Sequence, residues 1–474
     1  MTIEAPPFQI DSGYLADRKK EIREKIIPWE GLARAGVISE DEANHIKILE
    51  KQSRENKNST ILSELELYTN TILNLLSKLG VNSRDEVLKN VLVLINDILL
   101  DLPNQEFADS LLKLSKLDES LPFDPFLKHL EDSNIDIKIL SLYNLTILLS
   151  RAGKNDVKVN GEILNQIFGV LSTQLIDNNK DLHLPFIGIQ LLQELVIVKQ
   201  FKVTYLKNAS SYFSPINKLI SNMAKLPNSS GLQLLYNVLL TTWVLSFNAD
   251  INKVLVHKFP ELIGNLLTIS KDSIKLKVVR MSVSILKNFI SVSVSGSEKF
   301  KTIKLVLFHD GLNSIKVLQD RKFASNSSDE ELSNDLAYLN DSLTEVVQNK
   351  LTSLDEYLTE LENPNLISWS SPTHKSTEFW LENSGKFKDS SYKLVKKILE
   401  ILSSKQTPIV KLILLNDLQF LIQNLGNDLV SFINEEKDGQ YKLLIMGLLE
   451  SNDGDSELKY QALKTIQLLV GHNF

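Results

Sequence analysis

The chain has 474 residues, 43% hydrophobic and 23% charged, and 52 basic against 59 acidic residues leave a net charge of −7. Enough apolar material is present to bury a continuous core, which excludes disorder over most of the length, while 18 glycines and 13 prolines are too few for turn-rich sandwiches or propellers. The absence of cysteine excludes disulfide scaffolds, thiol nucleophiles and cysteine-ligated metals and fits a reducing compartment.

In chain order, the N-terminus carries an early Glu4, then Pro6 and Pro7, with no apolar run. Neither a secretion signal nor a transit peptide is expected, and a cytosolic protein is. Arg18, Lys19, Lys20, Arg23 and Lys25 form the densest basic cluster, but Asp17, Glu21 and Glu24 interleave it. That pattern predicts a solvated helix face, so no nucleic-acid partner is expected. Apolar residues then recur at steps of three and four: Val87, Val91, Ile95 and Ile98; Ile274, Val278, Met281 and Ile285; Leu458, Ala462, Ile466 and Leu469. Such spacing predicts helices throughout. Capping boxes at Ser39 with Glu42, Ser83 with Glu86, Ser328 with Glu331 and Ser353 with Glu356 mark their starts.

Five segments beginning near Val87, Ile137, Leu184, Gly231 and Ile274 are apolar on more than one face and must be sandwiched between neighbours. Their spacings of 50, 47, 47 and 43 residues predict an all-α armadillo/HEAT-like superhelical solenoid, with a non-repeating helical bundle as the alternative. The uncharged stretch from Gly231 to Ala249 approaches the length of a membrane span. Its polar stripe of Gln233, Asn237, Thr241 and Thr242 suits a packed helix rather than lipid. From Leu332 to Leu361 the apolar pattern would draw one long helix, but the capping box at Ser353 implies a break. Lys350, Leu351, Thr352 and Ser353 are therefore the expected hinge between an N-terminal domain, 1–350, and a smaller helical C-terminal domain, 351–474. Helices are expected in the latter at 377–382, 386–403, 408–424, 427–434, 438–449 and 455–470. Residues 1–350 hold 40 basic and 42 acidic residues, and 351–474 hold 12 and 17, so the smaller part is the more acidic per residue.

No phosphate-cradling P-loop, GxGxxG, HExxH or GxSxG sequence occurs, and none of the seven histidines pairs with another at helical spacing. No catalytic residue, cofactor site or metal site is expected. Trp369 and Trp380 flank a proline-containing connection and, with Ser370, Pro372 and Phe379, are the candidate partner-binding group. The competing expectation is that these aromatics pin the connection to their own domain. Trp29, after Pro28, is open to the same two readings, and Trp243 is expected in the core.

Several stretches resemble the H subunits of the eukaryotic vacuolar-type proton-pumping ATPase, in their fungal form, along nearly the full length. They are PWEGLARAGVISEDEA at 28–43, IGIQLLQELVIV at 187–198, GLQLLYNVLLTTWVLSFN at 231–248, RKFASNSSDEELSNDLAYL at 321–339, LTSLDEYLTELENPNLISWSSPTHKSTEFW at 351–380 and LKYQALKTIQLLVGHNF at 458–474. The resemblance implies a non-catalytic regulatory subunit of the soluble ATPase sector, on the cytosolic face of the vacuolar membrane and in the cytoplasm when detached, touching the membrane only through the complex. It implies an N-terminal domain on the peripheral stalk of subunits E and G, supporting hydrolysis coupled to proton transport. It further implies a C-terminal domain on the cytosolic part of membrane subunit a, which in the detached sector reaches the catalytic hexamer and rotor and silences hydrolysis. SSKQTPIV at 403–410 is shorter than the polar loop of some relatives, which leaves open whether it carries that braking role. Repeats alone would equally fit an armadillo-type adaptor for peptides or cargo.

Overall fold

The computed structural model describes residues 6–80, 85–155, 157–178, 181–228, 231–321, 329–349, 354–450 and 456–471. Every regular element among them is helical. They divide into two compact units, Met1–Asn265 with Asp272–Val292, and Leu266–Lys271 with Ser293–Phe474.

In the first unit the five apolar segments become the helices Asp85–Asp101, Ile135–Lys154, His183–Ile197, Leu232–Leu245 and Leu276–Ser291, each packed on the next. Leu92, Leu142, Leu191, Val238 and Val283, one from each, are fully buried, as layers stacked on both sides require. The repeat also appears in polar rungs between layers. Asn96 Nδ2 donates to Asn144 Oδ1 at 2.9 Å, and Asn144 Nδ2 donates to Leu92 O at 3.0 Å. Asn217 Nδ2 donates to Glu261 Oε1 at 2.7 Å, and Asn288 Nδ2 to Ser246 Oγ at 2.9 Å. A buried amide stripped of its partner costs about 1–3 kcal/mol, so these bonds hold each layer in register. Gly188 allows one especially close approach, because a Cβ there would stand 2.9 Å from Leu175 Cβ.

The stretch from Gly231 resolves into a 14-residue helix in which Thr241 and Thr242 donate to the carbonyls of Asn237 and Val238 at 2.9 and 2.8 Å. Among the described residues no single helix is long and apolar enough to cross a membrane. One bent pair, His183–Ile197 with Lys199–Leu206 at 112°, has the length and composition to do so. Its apolar residues Ile189, Leu191, Leu192 and Leu195 are core. The capping box at Ser39 is complete, with Glu42 N donating to Ser39 Oγ at 3.1 Å and Ser39 N to Glu42 Oε2 at 2.8 Å. Ser83, Ser328 and Ser353 lie outside the described residues.

In the second unit the apolar run from Leu332 is divided between the helices Glu330–Asn349 and Leu354–Glu362. The hinge residues Lys350, Leu351, Thr352 and Ser353 lie outside the described residues. Lys304 Nζ meets Glu356 Oε2 at 2.7 Å, joining the helix Gly296–Phe308 to Leu354–Glu362. The helices Thr377–Asn383, Asp389–Ser403, Pro408–Leu425, Asn427–Glu435, Gln440–Glu450 and Ser456–Gly471 follow. They close over a core that includes Ile398, Leu414, Leu418, Leu421 and Ala462, all fully buried. Thr407 caps the helix Pro408–Leu425, accepting from Val410 N at 3.4 Å, so 404–407 is a tight connection.

Candidate interaction sites

Pro364 and Pro372 open the short turns Pro364–Leu366 and Pro372–Lys375, because a fixed φ suits a first helical position. Ser376 then caps Thr377–Asn383, its Oγ accepting from Phe379 N at 3.1 Å. That helix turns Phe379 and Trp380 inward, to 2% and 0% exposure. The Trp380 ring lies edge-on to Tyr357 at 5.2 Å and parallel to Phe420 at 6.0 Å. As folded here, neither Phe379 nor Trp380 offers surface to another molecule; they support the connection from beneath. Trp369, Ser370 and Pro372 are half-buried and do reach the surface, with Lys375 Nζ 5.5 Å above the Trp369 ring. Leu381, 70% exposed, follows directly after Trp380. Trp29 is core at 2% exposure, its Nε1 donating to Glu50 Oε1 at 2.8 Å.

Beneath Trp369 sits a charge cluster that the sequence does not announce. His374 is fully buried, with Nδ1 2.9 Å from Asp417 Oδ2 and Nε2 3.2 Å from Glu360 Oε2, the latter close enough for an ion pair but off the line of a hydrogen bond. Burial alone would lower the imidazole pKa, but the Asp417 and Glu360 carboxylates outweigh it and push it up to about 10. The ring is therefore an imidazolium at neutral pH. Tyr357 OH donates to Asp417 Oδ2 at 3.0 Å, and Asn416 Nδ2 donates to the His374 carbonyl at 2.7 Å. Both ring nitrogens face carboxylates, so no lone pair remains for a metal or for a substrate proton. The cluster is a clamp fastening the turn Pro372–Lys375 to the helices Leu354–Glu362 and Pro408–Leu425.

A second feature was legible but hidden by averaging. Residues 199–304 carry 15 basic and 4 acidic residues, whereas 1–198 carry 21 and 30, and 305–474 carry 16 and 25. Dividing the charge only at 350 mixes the basic middle with an acidic flank. Within it, Lys277, Arg280, Ser284 and Lys287 recur on one side of the helix Leu276–Ser291. Ser284 Oγ accepts from Trp243 Nε1 at 3.0 Å, and Trp243 lies edge-on to half-exposed Phe247 at 4.8 Å. Trp243 is thus half-buried, at the border of an aromatic and a cationic row, rather than in the core.

Comparison with known proteins covers nearly the whole chain. Two family models, both described as the V-ATPase H subunit, match, one over residues 13–343 and the other over 350–474. The chain belongs to the V-ATPase H-subunit family. The H subunit of the V-type proton ATPase of Dictyostelium discoideum is 26% identical over 463 residues, covering 96% of this chain and 94% of that protein. Its counterpart in Drosophila melanogaster is 26% identical over 462 residues, covering 97% and 90%. A solved engineered protein aligns over 97% of each chain at 13% identity, with a TM-score of 0.37. As a member of the H-subunit family the chain is a regulatory, non-catalytic part of a rotary ATPase, associated with the vacuolar proton pump and its proton transport.

Proposed function

We propose that this protein supports ATP hydrolysis coupled to proton transport in the assembled pump and silences hydrolysis when the soluble sector detaches. In this reading the functional domains are 1–350 and 351–474, hinged at Lys350, Leu351, Thr352 and Ser353. The larger holds the peripheral stalk of subunits E and G. The smaller docks on the cytosolic domain of membrane subunit a, or on the catalytic hexamer and rotor in the silenced state. The protein then sits on the cytosolic face of the vacuolar membrane, peripherally, and in the cytoplasm after detachment. The observation that carries this reading is the pair of family matches, one for each part, that leave only residues 344–349 between them.

Stacked helices make a stiff strut, suited to resisting torque between complexes. A smaller part on a short hinge can exchange docking sites if its two environments differ by about 5.5 kcal/mol, which shifts an equilibrium from 99:1 one way to 99:1 the other. The surface group Trp369, Ser370 and Pro372, propped by Phe379 and Trp380, is the docking patch we assign to the smaller part. The basic stretch 199–304 supplies positive charge that would favour a partner segment of acidic character. The test compares the full chain with its 1–350 fragment, first checked for helix content by circular dichroism, on a soluble sector stripped of this protein. The fragment should bind the stalk without silencing hydrolysis. Full silencing by the fragment would sink the two-position reading.

A further inference from the structure

The basic residues of the first helix, Gly13–Arg23, do not form a plain solvated face. Lys19 is 8% exposed, with Nζ 2.5 Å from Asn96 Oδ1 and 2.9 Å from Asp97 Oδ1. Asp97 also accepts from Nε and Nη2 of Arg23, each at 2.7 Å. One turn beyond Asp97 on the helix Asp85–Asp101, Asp101 accepts from Arg54 Nε at 2.7 Å and from its Nη2. Together with Lys57 these side chains line a cavity of about 560 Å³ in the first unit, within the range of small-molecule sites, about 300–1,000 Å³.

Four cations here face two carboxylates. Each aspartate occupies one edge of its guanidinium, and the opposite Nη1 edges of Arg23 and Arg54 have no partner among the described residues; nor does the Lys57 ammonium. Residues at i and i+4 on a helix stand about 5–6 Å apart at Cβ, so Asp97 and Asp101 hold two guanidiniums side by side although their charges repel. A fixed planar fork suits an oxyanion, which it can take through two parallel N–H bonds. Two such forks one turn apart, with two lysines and a surplus of positive charge, suit more than one anionic group on a small carrier.

We propose that this cavity binds a compact polyphosphate, two or more phosphate groups on a small ring such as an inositol, with the Nη1 edges of Arg23 and Arg54 and the Lys57 ammonium as its donors. The site stands apart from the pump role and does not depend on it. The test is calorimetric titration of the full chain with inositol hexakisphosphate at physiological salt, with citrate as the carboxylate control. Vesicles of phosphatidylcholine doped with a phosphatidylinositol bisphosphate are compared with phosphatidylserine vesicles of equal surface charge. Exposed Arg54 and half-buried Lys57 are replaced together, R54Q with K57Q, and thermal melting verifies that the variant is folded. Saturable binding of either phosphate probe, weakened about tenfold or more in the variant but unchanged by K253Q with K258Q, supports the site. Binding of the free probe alone identifies a soluble ligand, and binding of bisphosphate vesicles alone identifies a headgroup. No binding, equal affinity for citrate or phosphatidylserine, or indifference to R54Q with K57Q overturns it.

Discussion

His374 shows how one proton can hold a connection in place. A free histidine titrates near 6.5, whereas the buried ring between Asp417 and Glu360 holds its proton to about 10. Between those values the folded chain keeps a proton that the unfolded chain has released. Stability from this group is therefore complete below pH 6.5 and declines as pH rises toward 10. Thermal melts across that window should show a decline that His374→Gln flattens; an equally steep decline in the variant would remove the clamp from the account. Replacing His374 outright leaves two carboxylates buried together and should cost about 3–5 kcal/mol. The aromatic pair divides in the same way. Trp380→Ala opens a cavity in the core and should cost about 3–5 kcal/mol. Trp369→Ala, half-exposed, should cost about 1 kcal/mol while weakening retention on the pump, measured by co-sedimentation with the reassembled complex. None of this clamp is visible in a local stretch of sequence, because Glu360 lies 14 residues before His374 and Asp417 lies 43 after it. Trp369 and Trp380 look alike in the sequence, and only the face each presents on its short element separates them.

At the scale of elements the sequence is far more transparent. Helical periodicity is a local property, and the five doubly apolar segments and the C-terminal helices appear where their stripes predict, because a helix apolar on two sides has few ways to stay dry. The long run from Leu332 to Leu361 is less transparent: one continuous stripe is shared between the helices Glu330–Asn349 and Leu354–Glu362, and the capping signal at Ser353 lies outside the described residues. The charge of Lys19 is misread for the opposite reason. Acidic neighbours in sequence suggest solvent, whereas Asn96 and Asp97, far along the chain, take it inside. Close packing between elements gives a direct test at Gly188. The alanine methyl would lie 2.9 Å from Leu175 Cβ and 3.0 Å from Ile176 Cγ1, so Gly188→Ala should cost about 1–3 kcal/mol by overpacking. Urea denaturation measures it, and an unchanged midpoint would mean that the layers shift apart without penalty.

For the whole molecule, helical periodicity and repeat spacing point to a stacked helical scaffold, and family resemblance supplies what it serves. Two lines drawn through the chain differ. The family models part near 350, whereas compact packing parts near 292, where the helix Gly296–Phe308 packs with the helices Gly311–Asp320 and Glu330–Asn349 that follow it. Local sequence signals do not say which neighbours a helix will adopt. The distribution of charge, acidic at both ends and basic in the middle, belongs to this scale too, and it vanishes when only a net value is taken.

The polar rungs described in the first unit have a mechanical corollary. Each side-chain bond reaches about one period along the chain, so a layer is informed only by those directly above and below it. Melting should then advance like a fraying stack of coins, and amide deuterium uptake in the first unit should be slowest in the helices Ile135–Lys154 and His183–Ile197 and faster toward Asp85–Asp101 and Leu276–Ser291. Uniform uptake across all five would show instead that the stack yields as a single block.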